Sequence, residues 1–177
     1  MKRLRRAGLL ALALAVLILL CGSLLPATHT ECLQLELPGS PESVFTLLTD
    51  YEHASTWRPG IVRVERAGEH DGHLLLREWV SEKTSRVVEV VESQAPARLV
   101  TRSSDAQALF QGTSELTLTS VGAGTRLRVA LSASTGNPVG RLLARFPGFL
   151  TWSARRNLAA LALRLGTKAA ATACPGE

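Results

Sequence analysis

Residues 40–60 read SPESVFTLLTDYEHASTWRPG, and the fold turns on how this stretch is read. Ser40 stands where an N-cap belongs and Pro41 at the first helical position, while Val44, Phe45, Leu47 and Leu48 make an apolar face. The spacing predicts a helix ending near Asp50, a second short turn, and an exit through Trp57 and Pro59 into an extended segment. Asp50, Glu52 and His53 cluster at that end, so an acid/base reading competes with an architectural one. Helix ends and exposed turns are ordinary places for such charges, and the architectural reading is preferred.

Outward from there the chain alternates as strands do. ECLQLEL (31–37) reads as a first strand over Cys32 to Leu37. IVRVERAG (61–68) and HLLLREWV (73–80) flank Asp71-Gly72, which favours a tight hairpin turn. SRVVEVVESQAPARLVTRSS (85–104) gives two strands parted at Gln94–Pro96, and residues 108–134 give two more around Gly122–Gly124. In the last of these, Leu127, Val129 and Leu131 alternate with Arg126, Arg128 and Ala130, the pattern of an antiparallel sheet covered on one side. The cover is NPVGRLLARFPGFLTWSARRNLAALALRLG (137–166). It opens with Asn137 as N-cap, closes at Gly166, and places Val139, Leu142, Leu143, Phe146, Leu150, Leu158, Leu161 and Leu165 at helical spacing. Pro147-Gly148 predicts a kink in it.

Ahead of the domain, Lys2, Arg3, Arg5 and Arg6 precede an uncharged run from Gly8 to Leu25, which as a helix reaches roughly 27 Å. That is an uncleaved anchor or a signal segment; cleavage would put Leu25 and Ala27 at the recognition positions, and a lipoprotein reading at Cys21 is weakened by Leu20 before it. The positive-inside rule keeps the leading charges in the cytoplasm. The domain then faces the periplasm from the inner membrane as a single-pass protein, or is periplasmic or secreted if cleaved. In that oxidising setting Cys32 and Cys174 become available as a bridge, whereas a cytoplasmic domain would keep both thiols free. The expected division is residues 1–29 for the basic start, membrane segment and linker, 30–168 for the domain, and 169–177 for a flexible tail.

The net charge of +5 is mostly that basic start, so no nucleic-acid footprint is expected. The remainder is uneven: residues 26–105 carry 8 basic against 13 acidic residues, and 106–177 carry 8 against 2. The late excess, on Arg141, Arg145, Arg155, Arg156, Arg164 and Lys168, reads as a solvated helix face, with anionic lipid contact as the other reading.

The order strand, helix pair, six strands, long helix resembles the START-like helix-grip superfamily (SRPBCC), and most closely its bacterial polyketide cyclase/dehydrase and lipid-transport branch. The residues that carry the resemblance are SPESVFTLLTDYEHASTWRPG, REWV (77–80), VVESQAPARL (90–99) and GAGTRLRV (122–129). It implies an α+β fold, a seven-stranded antiparallel sheet wrapped around a long C-terminal helix, with a cavity between them. It also implies that Trp57 is a wall or lid residue of that cavity.

The expected occupant is a hydrophobic small molecule or lipid, with no cofactor. Trp57, Trp79, Phe110, Leu142, Phe146 and Leu150 are the wall candidates, and Arg77 is a candidate for holding a ligand carboxylate or phosphate, against a plain surface charge pair. Glu69, His70, Asp71 and His73 have ligand chemistry, but a hairpin turn crowds them and no metal site is expected. The GAGT run joins two strands and is not a phosphate loop. Two functions compete: an apolar-ligand binding module, and a cyclase- or dehydratase-type enzyme using the same cavity. A buried polar cavity residue with a hydrogen-bonded neighbour would favour the enzyme. A partner-binding or scaffold role is the third reading.

Overall fold

The computed structural model of the protein describes residues 2–103 and 109–175, without the side chains of 2–5 and 7. The leading charges Lys2, Arg3 and Arg5 therefore lie outside the described side chains. Helix α1 (Lys2–Leu24) leads into strand β1 (Thr28–Pro38), helix α2 (Pro41–Thr49) and a single 3-10 turn at Ala54–Thr56. Strands β2 (Arg63–His70), β3 (His73–Trp79), β4 (Ser85–Gln94), β5 (Arg98–Ser103), β6 (Gln111–Val121) and β7 (Gly124–Ser134) follow, then helices α3 (Pro138–Ala144) and α4 (Thr151–Arg164) and a short strand β8 (Thr172–Ala173). All neighbours pair antiparallel in the order β2-β3-β4-β5-β6-β7-β1-β8.

The local signals act as the residues suggest. Ser40 Oγ accepts from the Ser43 amide and Asn137 Oδ1 from the Val139 and Gly140 amides, capping α2 and α3. At the β2–β3 hairpin Asp71 and Gly72 both adopt positive φ, 50° and 79°, which the tight turn requires. Leu33, Leu35 and Leu37 of β1, Leu127 and Val129 of β7, and Leu118 of β6 point to the same side and close over Val44 and Phe45 of α2 and Leu158 and Leu161 of α4. The one-sided sheet is thus covered by α2 and α4.

Four expectations change. The second helix of the pair is only the Ala54–Thr56 turn. The C-terminal helix is broken rather than kinked: α3 stops at Ala144 and α4 begins at Thr151, with Gly148 at φ 78° between them, because Pro147 cannot donate to the preceding turn and Gly148 reverses the backbone. Of the stripe expected to face the sheet, Leu158 and Leu161 are buried, whereas Val139, Leu143 and Phe146 are exposed, since the break turns α3 onto a different course. The sheet has eight strands, not seven. The extra one comes from the stretch expected to be a flexible tail: Thr172–Ala173 pairs with Leu33–Gln34, and Cys174 is disulfide-bonded to Cys32 with Cα atoms 5.4 Å apart. A bridge needs Cα atoms about 4.4–6.8 Å apart, and the β1–β8 ladder supplies that spacing.

The late arginines are also more committed than a solvated face would be. Arg141 Nη1 donates to the Ser23 and Leu25 carbonyls, and Arg145 Nη2 to those of Pro26 and Thr28, so α3 gathers the end of α1 and the linker. Arg155 Nη1 donates to the Ala171 carbonyl and holds the tail. Gly22 lies against Pro138 so closely that a Cβ there would sit 2.1 Å from the Pro138 oxygen. Among the described residues no helix is long and apolar enough to cross a membrane. α1 thus supplies a helix over the expected anchor, but no demonstrated span.

Candidate functional site

A cavity of about 460 Å³ lies between the sheet and α4. Its helical wall is Leu150, Ser153, Ala154, Asn157, Leu158 and Leu161, a stripe of three- and four-residue steps that the α4 repeat brings to one side. The sheet contributes the inward-facing residues of β3 to β7, among them Leu76, Val88, Leu99, Leu116, Val129 and Leu131. Phe110, just before β6, and Phe149, in the α3–α4 connection, stack tilted with centroids 5.4 Å apart on the cavity wall. The cavity is therefore mainly apolar, and its volume falls in the range of about 300–1,000 Å³ usual for small-molecule sites.

One part of the wall is charged. Glu78 of β3 is inward-facing and only 4% exposed. Its Oε1 accepts from Arg58 Nη1 at 2.5 Å, and its Oε2 from Arg86 Nε and Nη2 at 2.8 and 2.6 Å. Arg58 follows Trp57 in the exit from the 3-10 turn, and Arg86 stands opposite Glu78 in the β3–β4 register. Burial pushes the Glu78 carboxyl up, but the adjacent Arg58 and Arg86 guanidiniums outweigh it and hold the group below the usual carboxylate value. Tyr51 borders the same region, and burial raises its phenol. Trp57 Nε1 and Asn157 Oδ1, both from wall residues, are buried with no hydrogen-bond partner among the described residues.

Of the residues singled out from sequence, Trp57, Phe110 and Leu150 line this cavity. Leu142 and Phe146 do not; Phe146 is 66% exposed, because the helix break carries α3 away from the sheet. Arg77 and Trp79 do share a face, as the alternation requires, but it is the outer one. Trp79 lies beneath the Arg63 guanidinium at 4.3 Å and donates to Glu65 Oε2 at 3.0 Å, while Arg77 is exposed. The charged wall was missed because REWV fixes only which residues alternate, not which of the two sets points inward. The signal that could have found it is Glu78 flanked by the apolar Leu76 on its own face.

The other polar candidates resolve as surface structure. Asp50 accepts from the His53 amide and pairs with His53 Nδ1 at 2.9 Å, both exposed, so the pair closes the end of α2. Their hydrogen bond raises the His53 pKa and lowers that of Asp50. A smaller cleft of about 380 Å³ lies beside Asp50, Glu52, Glu65 and Arg66, and Tyr51 and Leu76 border both it and the main cavity. His73 Nδ1 pairs with Glu89 Oε1 at 2.7 Å on the outer face, where Arg102 also bonds Glu89. Among the described residues, no three His, Cys, Asp or Glu side chains come together to hold a metal.

A sheet gripping a C-terminal helix over an apolar cavity defines the class as START-like helix-grip. Residues 33–166 match the family described as polyketide cyclase/dehydrase and lipid transport, and the chain belongs to that family. Similar solved structures include the START superfamily protein from Mycobacterium smegmatis (19% identity, TM-score 0.57, 78% of this chain and 97% of that one). The Zhui aromatase/cyclase from Streptomyces sp. R1128 is similar at 18% identity and TM-score 0.59, over 78% of this chain and 92% of that one. The di-domain ARO/CYC StfQ of the steffimycin biosynthetic pathway matches at 13% identity and TM-score 0.61; this chain, 80% covered, spans 52% of its length. At such identities the likeness is one of fold. No curated protein matches the sequence.

Proposed function

We propose that this protein is a membrane-tethered binding module that holds an apolar small molecule or lipid between its sheet and α4. The observation that carries the reading is the cavity itself, about 460 Å³ of space between the sheet and α4, whose wall includes leucine, valine and phenylalanine side chains from both sides. The tether is supported by α1, whose Leu9, Leu10, Leu12, Leu14 and Leu20 are exposed along its length, and by the basic residues before it. The Cys32–Cys174 bridge supports an oxidising compartment for the domain. Native mass spectrometry of the full chain released from membranes is expected to reveal a co-purifying apolar molecule. A ligand-free protein that also takes up no apolar probe would overturn the reading.

A cyclase- or dehydratase-type reaction is the second reading, favoured by one observation: Glu78 is a buried polar wall residue with hydrogen-bonded neighbours. As a base it is poorly suited, because two guanidiniums stabilise its carboxylate and so lower its affinity for a proton. Glu78→Gln separates the two readings, since a proton-transfer role loses turnover while a binding module keeps its ligand.

A further inference from the structure

We infer that the charged wall is a carboxylate-binding site, so that the cavity's preferred occupant is an amphipathic acid: an apolar body with a single anionic head. This deepens the binding reading and rests on it. The charge balance of the wall is the starting point. Arg58, Arg86 and Glu78 are the only charged residues on it among those described, two cations against one anion, and Glu78 holds its proton off. The site is left with one positive charge beside a largely apolar space, where an unmatched charge is costly and a matching one is correspondingly favoured.

The geometry leaves donors to meet that anion. Arg58 commits only Nη1 to Glu78 and Arg86 only Nε and Nη2. A guanidinium carries five N–H donors in a planar fork, so each retains N–H groups suited to a carboxylate. Glu78 does more than neutralise: by bonding both guanidiniums from one carboxylate it fixes them side by side, which prepays their ordering. Arg86, with its side chain 44% exposed against 20% for Arg58, stands nearer to water and marks the side from which a polar head is still hydrated on the way in. Beyond the charged triad, the stretch of wall formed by Leu116, Val129, Leu131 and Leu158 takes the apolar body.

The test uses the full chain in phosphatidylcholine nanodiscs, with empty discs subtracted, and measures equilibrium binding of labelled dodecanoate and dodecanol. Dodecanoate is expected to bind about tenfold more tightly than dodecanol, as charge-assisted hydrogen bonds allow. Arg86→Gln should remove about that factor for the acid and leave the alcohol unchanged. Glu78→Gln takes the wall from one net positive charge to two and should tighten the acid, whereas a merely structural triad would weaken or ignore it. Equal binding of acid and alcohol to the wild type overturns this inference but leaves the apolar cavity standing; no binding of either overturns both. Dodecyl phosphate binding more tightly than dodecanoate would overturn the assignment to a single negative charge.

Discussion

Glu78 and Arg86 stand directly opposite each other in the β3–β4 ladder, and one carboxylate oxygen accepts two guanidinium hydrogen bonds. The pair shares the cavity wall with Arg58, so a contact that stabilises the sheet also sets the character of the site.

Its pH dependence follows from the depressed Glu78 pKa. The folded value lies below the ordinary 4.5, so the stability it contributes is fully present above that value and is lost as pH falls through the folded pKa. Urea unfolding across this window should show wild-type stability falling more steeply with acid than that of Glu78→Gln. Glu89, likewise lowered by its hydrogen bonds to Arg102 and His73, acts in both proteins and drops out of the difference. Parallel curves would contradict the assignment.

Reducing the Cys32–Cys174 bridge opens a loop of 142 residues, worth about 5 kcal/mol in the chain-entropy model. The paired Cys32→Ser and Cys174→Ser variant should lose about 2–5 kcal/mol in denaturant unfolding. Hydrogen exchange of that variant should show the β8–β1 amides, including the one at position 174, opening first, because β8 has only two paired residues to hold it.

Much of the domain was legible because its signals are local. The Ser40 and Asn137 caps, the Asp71-Gly72 turn and the β7 alternation each need only a few neighbouring residues to decide them. What was not legible depends on contacts far apart in sequence. Pro147-Gly148 announces a disturbance, but whether a helix bends or stops depends on where its second half can pack, and here α4 restarts against β1 and leaves Phe146 in solvent. Likewise REWV separates Arg77 from Glu78, but only the finished sheet says which side is covered. Arg58 and Arg86 lie 28 residues apart; the β3–β4 register brings Arg86 to Glu78, and the exit from the 3-10 turn brings Arg58.

Trp79 tests the reassignment of faces. Trp79→Ala removes an outer-surface stack on Arg63 and a hydrogen bond to Glu65, and should cost about 0.5–1 kcal/mol of stability. Probe binding should stay at the wild-type level. A loss of binding with the fold intact would return Trp79 to the cavity wall.

Gly22→Leu tests the seat of α1 on α3. No side chain fits between Gly22 and the Pro138 carbonyl, so the helix must lift and release Arg141 from the Ser23 and Leu25 carbonyls. Limited proteolysis should then cut faster between Leu24 and Thr28, with the sheet's hydrogen-exchange protection unchanged.

The central claim is that the space between sheet and α4 holds an apolar ligand, and filling that space tests it most directly. Ala154 lies on the cavity-facing stripe of α4, so Ala154→Trp occupies the cavity at a cost of about 1–3 kcal/mol if the neighbours must shift. The measurement is binding of a fluorescent apolar probe by the folded full chain, with and without that substitution. The account predicts saturable binding by the wild type and its loss in Ala154→Trp; no binding by the wild type, or equal binding by both, would contradict it.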